Sequence, residues 1–314
     1  MASFESLTSA NKRNSVILVV LFVAFICVLG AALGWAIFGD PTAAIPSIAI
    51  ALVVSGIMAL VGYYSGSEMV LAMSGAHPIA KEDDPQLYNI VEELSIASGL
   101  PMPKLYMIDT PAMNAFATGR DPKHAVVAVT RGLRERMDRD ELQGVLAHEL
   151  SHVKNLDIRF MTLLAVLVGV VVLLADIGLR TIFWGGGRRR RSEGSGGGAI
   201  MIVVIIVALV LAILAPIFAQ LIQLAASRQR EFLADADGAK LTRYPEGLAR
   251  ALEELAKDTE PLATASRATS HLFIVQPMMA SGRKPGGSGT SMWSSHPPIE
   301  ERVRRLRSLG DLKA

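Results

Sequence analysis

Apolar and polar positions alternate along this chain in long blocks. Unbroken apolar runs extend over Val16–Phe38, Ala44–Tyr64, Phe160–Trp184 and Ala199–Ala226. At about 1.5 Å rise per residue each is long enough to cross the roughly 30 Å hydrocarbon layer of a bilayer. The first run is too long for a signal-peptide core and has no evident small-x-small cleavage site, so it is read as a retained anchor. Gly39-Asp40-Pro41 predicts a tight turn between the first pair. Three glycines, the run Arg188–Arg191 and a Gly/Ser stretch predict a flexible loop between the second pair.

The polar blocks carry different periods. Leu87, Ile90, Val91, Leu94 and Ile96 predict an amphipathic helix over Asp84–Ser98, started by Pro85. Lys104–Ile108, Asn114–Thr118 and Ala125–Val129 read as short strands, the last two split by a turn at Gly119–Pro122. Arg139–Asn155 reads as a helix with Asp138 as its N-cap. Further helices are predicted over Ala226–Arg243, over Pro245–Asp258 and from Pro298, with a mobile loop over Pro277–Ser295. The reading is therefore a mainly α membrane protein with a small β-sheet. It divides into a two-helix anchor (1–64), a first polar half (65–157), a transmembrane hairpin (158–226) and a second polar half (227–314).

Hairpin arithmetic puts both polar halves on one side of the membrane. Lys12, Arg13 and the basic residues of the first half assign that side to the cytoplasm, whereas Arg188–Arg191 and Asp176 run against a simple four-span count. Composition agrees with the spans, since 51% of the 314 residues are hydrophobic. A net charge of +2 gives no support to nucleic-acid binding. The single cysteine, Cys27, excludes an internal disulfide.

The chemistry concentrates in two short stretches. His148-Glu149-Leu150-Ser151-His152 sets two imidazoles one helical turn apart on one face, a spacing that holds one zinc ion. Glu149 follows the first histidine and can reach a water at the metal without being a ligand. A catalytic zinc needs a third ligand and an open fourth position. Glu231 is the best candidate, with Asp235 one turn on to accept the free N–H of a ligand histidine.

The paired N-terminal spans, HELSH, an apolar hairpin and REFLADADGA together resemble the HtpX branch of the M48 membrane metallopeptidases, related to the Ste24 prenyl-protein proteases. The resemblance covers almost the whole chain. It implies one zinc per chain on His148, His152 and Glu231, with Glu149 as catalytic base. It also implies a cytoplasmic gluzincin-like domain, four transmembrane helices and a multi-pass place in the cell (inner) membrane. The implied substrates are misfolded or damaged membrane proteins or other polypeptides, met at the bilayer surface in quality control or stress. A Ste24-like processing protease for a specific peptide and a non-catalytic zinc-binding scaffold are the alternatives. No oligomeric state is implied.

The family pattern Asn-Ala-Phe-Ala matches at Asn114–Ala117, which makes this the strand that accepts an extended peptide. Asn114 would hold the substrate backbone, or serve as an ordinary turn asparagine. His296-Pro297-Pro298 also resembles a family segment. His296 or Arg302 would stabilise the oxyanion, or the segment packs and pairs with carboxylates. For Arg228 a salt bridge is the preferred reading. His77 and His124 are expected to be exposed, and His271 has no partner at ligand spacing.

Overall fold

The computed structural model describes residues 4–38, 42, 44–167, 169–170, 228–264, 269, 271–275 and 297–311. Most of the third predicted span, the whole fourth, the Arg188–Arg191 run, Asp176, the loop over Pro277–Ser295 and His296 lie outside these residues.

Two long helices, α1 (Phe4–Phe38) and α2 (Ala44–Ser74), pack against each other as a hairpin. Both are long and apolar enough to cross a membrane. Val16, Val20 and Val28 on α1 and Ile45, Ile50 and Val53 on α2 are exposed, as lipid-facing side chains would be. Both helices exceed their apolar runs. The sequence boundary at Tyr64 falls inside α2, because Ser65-Gly66-Ser67-Glu68 ends the hydropathy signal without ending the helix. Gly66 instead brings α2 against a protein neighbour: a Cβ there would lie 2.9 Å from Thr162 Cγ2.

β1 (Ala76–Pro78), β2 (Lys104–Ile108), β3 (Ala115–Thr118) and β4 (Val126–Thr130) form one sheet in the order β1-β2-β4-β3. The β2–β4 pair is parallel and the other two are antiparallel. β4 reads Val-Val-Ala-Val-Thr and is buried throughout, which follows from the sheet being covered on both faces. Its period of two divides the residues between two cores. Val127 and Val129 join Leu87, Val91, Leu146 and Leu150. Val126 and Ala128 join Val70, Leu71, Ala165 and Phe273, on the side of α2.

α3 (Pro85–Ser98) is capped by Asp84, whose side chain accepts from Leu87 N, and ends at the left-handed Gly99. α4 (Arg131–Arg136) follows β4 directly. α5 (Arg139–Lys154) opens with a capping box in which Asp138 and Glu141 satisfy each other's backbone N–H. After Leu156, at φ 59°, a further helix, α6, covers 157–167. α7 (Arg228–Thr242), α8 (Pro245–Lys257) and α9 (Ile299–Asp311) complete the described elements.

Candidate metal centre

α5 is buried on nearly every side from Glu141 to Val153, packed by β3, α3, α7 and α8. Two glycines permit the close approach. A Cβ on Gly144 would meet Leu248 N at 2.6 Å, and one on Gly238 would meet His148 N at 3.1 Å. The face of α7 that carries Glu231 and Asp235 is thus drawn against the face of α5 that carries His148 and His152.

All four of these side chains are buried. His148 Nε2 and His152 Nε2 are 3.2 Å apart. Glu231 Oε2 is 3.7 Å from the first, and Glu231 Oε1 is 3.6 Å from the second. Donors about 2.0–2.1 Å from a tetrahedral zinc are separated by about 3.3 Å, close to these spacings. The outer nitrogens are also committed. His148 Nδ1 donates to Asp235 Oδ1 at 3.0 Å, and His152 Nδ1 donates to Asp157 Oδ2 at 2.9 Å. Each Nε2 is then left with a lone pair facing the other imidazole and the Glu231 carboxylate. Three electron-rich groups directed at one point form a site for a cation, and two nitrogens with an oxygen suit zinc. Burial disfavours charge on His152, yet Asp157, Glu231 and Glu149 hold its pKa up at about 9. Without a metal this ring therefore takes a proton at neutral pH, a positive charge that a metal ion would displace.

Glu149 is 2% exposed. Burial raises its pKa, and this outweighs the two histidines and the backbone N–H of Ala117, which act in the opposite direction. A carboxylate so placed is a better proton acceptor than one in water. Ala117 belongs to β3, so the glutamate sits beside the predicted peptide-accepting strand.

Asp235 lies beside His148, and Arg302 is drawn into the same cluster. The guanidinium is fully buried and binds Asp235 through two hydrogen bonds, Nε to Oδ2 at 2.8 Å and Nη2 to Oδ1 at 2.7 Å. Arg302 is thus paired with a carboxylate, and its Nη1 is also 3.6 Å from Glu231 Oε2. Arg302 and His148 keep the Asp235 carboxyl below the usual range despite its burial. Arg228 is exposed on α7 and forms no ion pair with another described residue, so the expected salt bridge is not present among them. His77 and His124 are exposed beside Asp109 and Asp121. His271 is buried, with Nε2 near Met161 O.

Asn114 and β3 differ in part from expectation. β3 is an edge strand of the sheet, but its Asn114–Ala115 end is already used by the chain. Ile274 N donates to Ala115 O at 3.0 Å, and Asn114 Nδ2 donates to Val275 O at 2.9 Å. Asn114 therefore holds the protein's own backbone.

Sequence reasoning missed Asp157. Its one signal is an acidic residue standing a turn beyond His152, at the mouth of an apolar run.

A model of peptidase family M48 matches residues 81–310, a span that contains both motifs. The chain belongs to peptidase family M48. Among its M48 relatives, a protease HtpX homologue of Dictyoglomus thermophilum is 43% identical over 98% of this chain and 96% of its own length. Another from Tropheryma whipplei is 44% identical over 98% of each chain, and one from Listeria monocytogenes is 41% identical over 98% and 99%. The crystal structure of S. mikatae Ste24p shares the fold, with a TM-score of 0.50 and 21% identity, covering 96% of this chain and 66% of that one. The protein is thus a membrane-associated M48 metalloprotease acting on polypeptides.

Proposed function

We propose that the metal is zinc, one ion per chain held by His148, His152 and Glu231, and that the protein is an endopeptidase for misfolded or damaged membrane proteins. The observation that carries this is the convergence of three buried donors, two imidazoles and a carboxylate, with a second carboxylate, Glu149, beside them. Zinc in this position acts as a Lewis acid and acidifies water. The chain's own groups do the rest. Glu149 takes the proton of the attacking water and returns it to the leaving amine. Asp235, backed by Arg302, and Asp157 hold the two imidazoles in the tautomer that presents Nε2. A substrate strand would pair with β3 beyond Ala115, while Ile274 and Val275 bound that edge at the other end.

The membrane setting supports the substrate class. α6, which follows the helix of His148 and His152 after a short break, shares one core with both long helices and another with α2, which supports a site at the end of the spans. Arg120 lies over Tyr64 and Arg159 over Tyr63, the aromatic-and-basic pairing expected at a bilayer boundary. Exposed Lys12 and Arg13 favour the cytoplasmic side of the cell membrane. On this reading the chain has four spans, and residues 65–157 and 227–314 form the peptidase around the second hairpin.

The test uses full-length protein in detergent. Glu149→Gln should retain zinc and lose about 10²–10⁴-fold in cleavage of an unfolded membrane protein. A Glu149→Gln protein that still cleaves at the wild-type rate contradicts the assigned role. Wild type that cuts a prenylated peptide and spares unfolded membrane proteins would indicate a processing protease. Zinc binding without any cleavage would indicate a scaffold.

A further inference from the structure

Asn11 of α1 lies in a helix long and apolar enough to be a membrane anchor, yet its side chain is only 2% exposed. A buried carboxamide is costly unless its donors and acceptor are matched. Here the partners belong to the metal centre. Asn11 Nδ2 donates to Asp157 Oδ1 at 2.5 Å and to Asn155 O at 3.1 Å. Asn11 Oδ1 accepts from Arg230 Nη1 at 2.9 Å. Asp157 holds His152 through its other oxygen, and Arg230 immediately precedes Glu231. One side chain on the N-terminal helix thus bridges the carboxylate that supports His152 and the residue next to Glu231.

We propose that Asn11 is a positioning residue of the metal centre, which makes α1 a component of that centre as well as a tether. The inference rests on reading His148, His152 and Glu231 as the ligands. The amide has a specific task. Arg230 Nη1 is 3.9 Å from Asp157 Oδ1, and Asn11 stands between these buried opposite charges. Once the amide is removed, guanidinium and carboxylate close on each other, and Asp157 turns away from His152 Nδ1. His152 then loses the acceptor that fixes its tautomer and ring angle. Lys12 and Arg13 are exposed and cannot replace it, and Ser15 Oγ donates to Asn11 O within the helix.

The test is zinc affinity of the full chain in detergent, by competition with a chromophoric chelator, together with the visible spectrum of the cobalt-substituted protein. Asn11→Ala should weaken zinc by about 10–100-fold and alter the cobalt bands. Asn11→Asp keeps the volume and the oxygen facing Arg230 but sets an oxygen against Asp157. It should weaken zinc at least as much, and it carries the test if the alanine variant does not assemble. Leu18→Ala removes a fully buried side chain of the same helix and should leave zinc affinity unchanged. Asn11 variants with wild-type affinity and cobalt spectrum overturn the inference, as does a Leu18→Ala protein that loses as much zinc as they do. A wild type that binds no metal through His148, His152 and Glu231 overturns this inference and the ligand reading together. A wild type that binds, with unaffected Asn11 variants, overturns this one alone.

Discussion

His148 and His152 are held by unlike supports. Asp235 behind His148 is clamped by a buried arginine, whereas Asp157 behind His152 is held by a neutral amide. Removing the arginine leaves a buried carboxylate without its counter-charge, a loss of about 3–5 kcal/mol. Arg302→Met should lower the unfolding midpoint of the metal-free protein accordingly, and a midpoint equal to wild type would show that the pair contributes nothing net. The candidate ligands were legible because the histidines of HELSH and the Glu231–Asp235 pair each occupy one helical face at a spacing the sequence displays. Asp157 and Asn11 were not legible. Their contact joins residues 146 positions apart, and no periodic pattern reports a single polar contact between distant segments.

The helices depend on their caps and their small residues. A methyl group at Gly144 would fall 2.6 Å from the backbone of α8, so Gly144→Ala must push the two helices apart. Overpacking of this kind costs about 1–3 kcal/mol, and a denaturant titration should show it. Asp84 caps α3 and pairs with Arg134 at 2.5 Å. Burial works against its charge, but Arg134 and the Leu87 N–H hold the carboxyl below the usual range. A lowered folded pKa contributes stability above the unfolded value of about 3.9, and that stability is lost as pH falls through the folded value. Asp84→Ala should therefore cost about 1 kcal/mol at neutral pH, with the gap to wild type narrowing below pH ~4. A gap that widens in acid would contradict this. α3, α5 and β2 could be read in advance because periodicity, Pro85 and Asp138 agree. β1 and α4 could not, since three and six residues are too short for a period to appear.

At the scale of the molecule, the two long helices and the peptidase do not separate at the point where hydropathy changes. Val70 and Leu71 of α2 lie in one core with Phe116 and Phe273, and Phe22 of α1 lies in another with Phe160 and Leu164. The polar stretch after Tyr64 marks a change in what α2 packs against while the helix itself continues to Ser74. Deleting residues 1–74 should thus expose both cores and leave a fragment that aggregates, as gel filtration would show. A monodisperse fragment with native-like melting would show that the peptidase folds alone.

X-ray absorption at the zinc edge of the full-length protein tests the metal assignment most directly. Two imidazole nitrogens and a carboxylate oxygen at about 2.0–2.2 Å are expected, with the carboxylate contribution lost in Glu231→Ala. An active protein without zinc, or a spectrum that Glu231→Ala leaves unchanged, would contradict the account.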